Sequence, residues 1–345
     1  MTNILAIETT CDETAAAVTA DGWLVKSNMV SSQVPLHRRY GGVVPEIASR
    51  AHIEWLNRLI DDALAEAHCP MSDLDAVAVA HCPGLVGCLI VGVAAAKALA
   101  FAIGKPLIGI NHVHAHLYGG MLTDVANAPP PRAEFPALGL VVSGGHTSLF
   151  HLDSFVEIHR LGATIDDAIG EAFDKTAALL GLGYPGGAAL EKLARNGNPL
   201  EVDFPVSLLG TDSLDFSYSG LKTAVRYHLA GPGGKPPATA EIPPQRLADI
   251  AASFQRAAIQ PIGIKLRRAL QRQRYESILV GGGVAANLAL RNVVSEAAAE
   301  FDIPLWMPAM RFCTDNAAMI GGLAFYRLQE GLTDELNLSA IATVG

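Results

Sequence analysis

The chain opens on an apolar run, Asn3 to Ile7, followed by the polar stretch ETTCDET and two further apolar runs, Ala15 to Thr19 and Trp23 to Ser27. Short apolar runs joined by tight polar turns predict an antiparallel meander. From about Pro45 to Ala67 the apolar positions Ile47, Ile53, Leu56, Leu59, Ile60 and Leu64 fall near a helical repeat and predict a helix. AVAVA (Ala76 to Ala80) and PLIGI (Pro106 to Ile110) flank an Ala-rich segment, the pattern of two parallel strands with a helical crossover. That segment, Gly84 to Gly104, is long and apolar, but its Gly and Ala content and Lys97 near its centre predict a buried core helix and no membrane span.

Three consecutive prolines, Pro129 to Pro131, interrupt any regular element and predict a domain boundary. Directly after it, ALGLVVSGGHTSLFHL repeats the plan of ILAIETTCDETAAAV, strand then polar turn then strand. Two halves that open alike predict an α/β protein of two related lobes, each presenting a hairpin turn suited to a nucleotide. A third Gly-rich turn, ILVGGGVAAN (Ile278 to Asn287), follows a strand and precedes a helix. Backbone N–H groups in such turns can meet phosphate oxygens, and a helix N-terminus favours an anion. None of the three is a P-loop or a strict G-x-G-x-x-G, and each alone is equally a plain strand-to-helix turn. Together they favour a nucleotide. Between them a helix is predicted from about Asp166 to Leu180, stopped by Gly181. Asp167, Glu171 and Asp174 form an acidic stripe along it, either a solvated face or a partner for ribose hydroxyls and amines.

Composition narrows the class. The 345 residues suffice for two ordinary domains, and 50% hydrophobic against 17% charged residues, with 33 Gly and 20 Pro, suits a compact, loop-rich enzyme. Cys11, Cys69, Cys82, Cys88 and Cys313 form no C-x-x-C pair, and MTNILAIETTCDET carries no basic segment followed by an apolar one. Both point to a reduced, cytoplasmic setting. A net charge of −9 excludes a protein that coats nucleic acid by bulk attraction, but not one with a local basic surface. Two such clusters exist: Arg38, Arg39 and Arg50, and the denser Lys265, Arg267, Arg268, Arg272 and Arg274.

The candidate chemistry lies in GINHVHAHLYG. On a helix His112 and His116 share a face, so both imidazoles can hold one ion, while His114 points elsewhere. The spacing is that of H-E-x-x-H, but Val113 stands where a zinc protease needs its general-base glutamate. A catalytic metal normally takes a third protein ligand, and Asp315 in MRFCTDNAAMIGG offers one; Cys313 is more often a buried apolar side chain.

At this point the motifs AIETTCDET, RYGGVVPEIASRAH, PGLVGCLIVG, NHVHAH, LVVSGGHTSL, DDAIGEAFDKTAALLGLGYPGG, DFSYSGLKTA, LVGGGVAANLALR and CTDNAAMI can be taken together. In this order, over nearly the whole chain, they resemble the TsaD family, the tRNA N6-adenosine threonylcarbamoyltransferases once classed as O-sialoglycoprotein endopeptidases. The resemblance implies the two-lobed actin, hexokinase and Hsp70-like (ASKHA) fold, with residues 1–128 and 316–345 in an N-terminal lobe and 133–315 in a C-terminal lobe. It implies a metal, Fe(2+) ahead of Zn(2+), on His112, His116 and Asp315. It also implies substrate contacts from Val141, Val142, Ser143, Gly144, Gly145, Asp174, Gly187 and Asn287, and an acidic pair, Asp12 and Glu13, important for activity. Some members carry an aspartate shortly after YPGG; this chain has Glu191 there. The reaction implied is transfer of threonylcarbamoyl from L-threonylcarbamoyladenylate to N6 of adenosine 37 in tRNAs reading ANN codons, with release of AMP. Expected partners are the tRNA anticodon loop, TsaB and TsaE, with a TsaC-type enzyme supplying the adenylate and Lys265 to Arg274 as the tRNA rim. The alternatives are a sugar or acetate kinase-like phosphotransferase, disfavoured by Ile7-Glu8-Thr9-Thr10 in place of D-x-G-T-T, and a nucleotide-binding scaffold without catalysis.

Overall fold

The computed structural model describes residues 1–125, 132–207, 210, 212–231, 234 and 242–343. The three prolines at the expected boundary lie outside the described residues. The chain forms two compact units: residues 1–133, 153–158 and 306–345, and residues 134–152 with 159–305. The return to the first unit therefore falls at Trp306, ahead of the expected 316, and brings Asp315 with it. The short return at 153–158 has a packing reason, because the Phe155 ring lies 4.8 Å from Tyr118 and 4.7 Å from Tyr326.

The first unit is built on a five-stranded mixed sheet in the order β3-β2-β1-β4-β5. Its strands are β1 (Asn3–Glu8), β2 (Glu13–Ala20), β3 (Leu24–Ser32), β4 (Ala76–Cys82) and β5 (Leu107–Asn111). β1 pairs antiparallel with β2 and parallel with β4, so the meander and the crossover meet at one central strand. Helix α1 (Val34–His37) follows β3, and α2 (Pro45–Glu66) and α3 (Val86–Ile103) cover the sheet. Leu5, Ile7, Leu56, Ile60, Val77, Val79 and Val93 are among the buried residues of this core. α3 is the one helix among the described residues long and apolar enough to cross a membrane, and it buries Cys88, Leu89, Gly92, Val93, Ala96 and Ala100 within the unit. Its opposite side is also apolar, with Val86, Ile90 and Phe101 exposed, Phe101 by 75%. The expectation of a buried core helix thus holds for one face.

The second unit repeats the plan with β10-β9-β6-β7-β8: β6 (Ala137–Val142), β7 (Thr147–Leu152), β8 (Ile158–Ala163), β9 (Ser277–Gly281) and β10 (Leu305–Trp306). Its central strand β6 pairs antiparallel with β7 and parallel with β9, the same arrangement as around β1. Five helices belong to its described part: α5 (Ile169–Leu179), α6 (Gly187–Ala194), α7 (Ser219–Ala230), α8 (Pro244–Arg272) and α9 (Leu288–Glu300). α5 begins three residues later than expected. The Asp166 carboxylate is engaged instead by the backbone N–H and hydroxyl of Ser219, the backbone N–H of Tyr218 and the hydroxyl of Ser217, which holds residues 165–168 out of the helix. Gly181 stands just beyond the C-terminus of α5 with φ of 70°, the left-handed conformation that ends it.

The basic cluster on α8 is not a free rim. Lys265 is 0% exposed and its ammonium donates to the Asp215 carbonyl, with the Phe216 ring 5.2 Å away. Arg267 is paired with Glu300 at 2.6 Å, Arg268 donates to the Ser213 carbonyl, Arg272 to the Asp212 carbonyl, and Arg274 pairs with Glu276 at 3.0 Å. Lys265 is thus withdrawn from the expected tRNA rim, Arg267, Arg268 and Arg272 are engaged with neighbouring groups, and Arg272 and Arg274 stay exposed.

Candidate active site

In the first unit β5 runs directly into α4 (His112–Tyr118), and Asn111 caps it by accepting from Val113 N–H at 2.9 Å and His114 N–H at 3.2 Å. The cap starts the helix at His112, which places His112 and His116 one turn apart on the same face. Asp315 precedes α10 (Ala317–Gln329), whose cap Asn316 accepts from Met319 N–H at 3.1 Å. α10 lies close against the sheet and α4 because glycines face both: a Cβ at Gly321 would meet Thr19 Oγ1 at 2.6 Å, and one at Gly322 the Tyr118 ring at 2.4 Å. This close approach brings Asp315 to the histidines.

Ligand atoms of His112, His116 and Asp315 lie within 4.8 Å of one another. Asp315 Oδ1 is 3.2 Å from His116 Nε2 and 3.6 Å from His112 Nε2. Bonds of about 2.0–2.1 Å to one tetrahedral centre would set such atoms about 3.3 Å apart, so the spacing fits a shared cation. His116 is buried and neither of its ring nitrogens has a hydrogen-bond partner among the described residues. Its Nε2 faces the Asp315 carboxylate at 3.2 Å without a hydrogen bond to it, the placement a cation between them would use. The donor set fits a divalent metal.

Sequence reasoning missed the residue behind His112. Glu8, at the end of β1 and 0% exposed, places Oε2 2.9 Å from His112 Nδ1 and accepts from Thr10 N–H through Oε1 at 2.6 Å. Its carboxylate therefore accepts from Nδ1–H and leaves Nε2 facing Asp315, the arrangement by which metal-ligating histidines are oriented. Burial pulls the His112 imidazole down, but Glu8 and Asp315 outweigh it and push its pKa up to about 9. Burial lowers the His114 imidazole to about 4.

Asp12 sits in the turn after β1 and Glu13 opens β2, in the same unit. His52 holds that turn: one ring nitrogen, Nε2, lies 3.0 Å from the Cys11 carbonyl and must carry the proton, so Nδ1 accepts from the Thr14 hydroxyl at 2.8 Å. Burial keeps this imidazole neutral by lowering its pKa. Glu13 is half-buried; burial first, then the charges of Asp315 and Asp12, push its carboxyl up to about 9. This environment favours the neutral form of Glu13.

In the second unit Val141 and Val142 end β6, and Ser143 to Gly145 form the turn into β7, closed by Ser143 N–H donating to the His146 carbonyl at 2.8 Å. Gly144 and Gly145 are exposed, neither has a positive φ, and a Cβ at either would meet nothing within 4 Å. Packing does not demand glycine there; open backbone is what these positions offer. Asp174 Oδ1 accepts from Gly186 N–H at 2.8 Å and Gly187 N–H at 3.0 Å, pinning the YPGG turn to α5. The rest of the acidic stripe is neutralised, since Lys175 reaches both Asp167 and Glu171 at 2.8 Å. Glu191 accepts from Leu288 N–H at the start of α9 and pairs with Arg195.

Asn287 caps α9, its Oδ1 accepting from Leu290 N–H at 3.1 Å, and its Nδ2 donates to Gln255 Oε1 at 2.9 Å. The amide is thus fixed in orientation, with its second Nδ2 hydrogen left for a ligand acceptor. Gln255, also missed from sequence, lines a cavity of about 660 Å³ with Ile259, Ala289 and Val293.

A family model described as TsaD: tRNA N6-adenosine threonylcarbamoyltransferase matches residues 25–322. This chain belongs to the TsaD family. The protein of that name in Moorella thermoacetica is 50% identical over 342 residues, covering 99% of this chain and 96% of the relative. The one in Anaeromyxobacter dehalogenans is 49% identical over 332 residues, with 96% of each covered. Among solved structures, T. kodakarensis HypF matches at a TM-score of 0.58 and 15% identity, over 96% of this chain and 48% of HypF. The (R)-2-hydroxyglutaryl-CoA dehydratase component A of Acidaminococcus fermentans matches at 0.52 and 12%, over 95% and 100%. These likenesses show the fold alone: this TsaD chain has the actin and hexokinase-like architecture of two mixed five-stranded sheets.

Proposed function

We infer that this chain transfers a threonylcarbamoyl group from L-threonylcarbamoyladenylate to N6 of adenosine 37 in tRNAs reading ANN codons, releasing AMP. Family membership supplies the reaction, and the observation that carries the chemistry is the meeting of His112, His116 and Asp315 within reach of one cation. Two imidazoles and one carboxylate suit Fe(2+) and Zn(2+) about equally, and the family resemblance puts Fe(2+) first. When bound, such a cation supplies Lewis-acid stabilisation of charge developing on carbamoyl oxygens.

The chain's own residues do the rest. The open backbone of Gly144 and Gly145 takes the phosphate of the adenylate. The free Nδ2 hydrogen of Asn287 donates to an acceptor on the nucleoside, and Asp174 keeps Gly187 in place against the substrate. An exocyclic amine is a weak nucleophile, so its orientation and the removal of its proton decide the rate. Asp12 and Glu13 are the groups we assign to that proton. Glu13 can accept one only once the charge of Asp315 is balanced, because that charge is among the causes that keep it protonated. The acceptor adenosine lies in a loop, where presenting a base costs less than extruding it from a duplex. TsaB and TsaE are the expected protein partners, and the exposed apolar stripe Val86, Ile90 and Phe101 on α3 supports a protein-binding surface.

The test is threonylcarbamoyladenosine analysis of tRNA incubated with this protein, threonine, bicarbonate, ATP, a TsaC-type enzyme, TsaB and TsaE. Modification is expected with the wild-type chain and is expected to fall at least about 100-fold with Asp315→Ala. Unchanged modification by a folded D315A protein would refute the role given to the cation, and omitting TsaB or TsaE checks the need for each.

A further inference from the structure

With the α8 cluster tied to its neighbours, the other basic motif stands out. Residues 38–40 form a single turn between α1 and α2, ended by Gly41 at φ of 71°, and Arg38, Arg39 and Tyr40 are all exposed, Tyr40 by 52%. The Arg39 guanidinium lies over the Tyr40 ring, 4.8 Å from its centroid. Arg50, on the first turns of α2, is exposed as well. None of the three arginines has a carboxylate partner among the described residues, although Glu46 and Glu54 stand one turn either side of Arg50.

The backbone carrying this group is held from beneath. His37 is buried; its Nδ1 accepts from Val44 N–H at 3.3 Å, so its Nε2 carries the proton and donates to Gln33 Oε1 at 3.2 Å. Gln33 Nε2 in turn donates to the Ala48 carbonyl at 3.3 Å, and Gln33 N–H donates to the Asp12 carbonyl at 2.8 Å. Both ends of the loop are thereby fixed, and its start is bonded to the turn that carries Asp12 and Glu13. A chain of net charge −9 builds an exposed arginine pair with an aromatic platform beside the acidic turn assigned to proton removal.

We propose that Arg38, Arg39 and Tyr40 form the surface that receives the single-stranded loop of the tRNA substrate. Arginines neutralise loop phosphates, and a base stacks on Tyr40 or on the guanidinium above it. Single-stranded RNA presents both partners at once. An acidic protein segment would use the charges but not the ring. This assignment rests on the tRNA-modifying reading of the chain.

Filter binding and anisotropy with unmodified tRNA, across a salt series, test it on the complete chain with its protein partners. Arg38→Ala with Arg39→Ala is expected to weaken tRNA binding about tenfold or more and to reduce the slope of log affinity on log salt by about 1.5, the share of two phosphate contacts. Tyr40→Ala is expected to weaken binding at least about fivefold, and Tyr40→Phe less than twofold. Metal affinity, read by chelator competition, should stay within twofold in every variant, which shows that the unit carrying these residues is intact. Wild-type tRNA affinity and salt slope in the double variant would overturn the proposal, as would loss of TsaB association with tRNA binding retained. If the wild-type complex binds tRNA but modifies none, the reaction assigned above fails, while the binding series still judges this surface.

Discussion

Glu8 is a carboxylate with two tasks and no solvent. It accepts one hydrogen bond from His112 Nδ1–H and another from Thr10 N–H, both buried. A glutamine at this position has one oxygen and one amide nitrogen, so it can serve only one of the two donors and turns an N–H toward the other. Glu8→Gln is therefore expected to lower metal affinity by about 10- to 100-fold, measured by competition with a chromogenic chelator, with no ligand altered. Unchanged affinity would reduce Glu8 to a packing role. Glu13 gives a second test. Its folded pKa of about 9 lies above the ordinary carboxyl value, so the native state holds the extra proton between the two. Its contribution to stability is thus complete below the unfolded value and is lost as pH rises through about 9. In metal-free protein the Glu13 side-chain ¹³C shift should titrate near pH 9, and Zn(2+) should move the midpoint down by offsetting Asp315. A midpoint near 4.5, the ordinary glutamate value, in the metal-free state would contradict this account. The histidine pair and Asp315 were legible as candidate ligands from spacing and turn chemistry. Glu8 was not, because one acid at the end of a buried apolar strand reads as the edge of the strand, and only the pairing of β1 with its neighbours shows what it faces.

At the scale of elements, the ligand set depends on how near α10 can come to α4. Gly322 packs against the Tyr118 ring, where a Cβ would sit 2.4 Å away, and Tyr118 is buried between Phe155 and Tyr326 with no room to turn aside. Gly322→Ala should push α10 outward, destabilising the protein by about 1–3 kcal/mol in urea unfolding. It should weaken metal binding as well, although every ligand remains. A variant with full metal affinity would show that Asp315 reaches the histidines independently of the α10 packing. Elements were the most legible level. The strands around β1 and β6 are continuous apolar runs bounded by polar turns, and α2 follows its apolar repeat. Two misreadings have local causes. The start of α5 was placed early because Asp166 looks like a helix residue until Ser217, Tyr218 and Ser219, about fifty positions away, engage it. Lys265 was taken for surface on charge alone. Its spacing from the buried Ala258, Ile262 and Ala269 puts it on the inward face of α8, a periodicity the run of arginines obscured.

At the scale of the whole molecule, the proposed ligands divide between the two compact units. His112, His116, Asp315 and Glu8 belong to the first, and Val141 to Gly145, Asp174, Gly187 and Asn287 to the second. Each unit has its own five-stranded sheet and buried core, so each can melt as a body of its own. A ligand that binds only the folded form of one unit stabilises that unit, by about 2.7 kcal/mol at a concentration one hundred times its dissociation constant. Calorimetry of the full chain should accordingly resolve two transitions. Removing the metal with a chelator should lower one of them, and AMP should raise the other. Asp315→Ala should abolish the response to metal and leave the response to AMP, a separation that a merely destabilised protein would not show. A single transition moved by either ligand would mean that the units unfold together. A response of the AMP-sensitive transition to chelator would place the cation with the second sheet, against the burial and spacing of the two histidines.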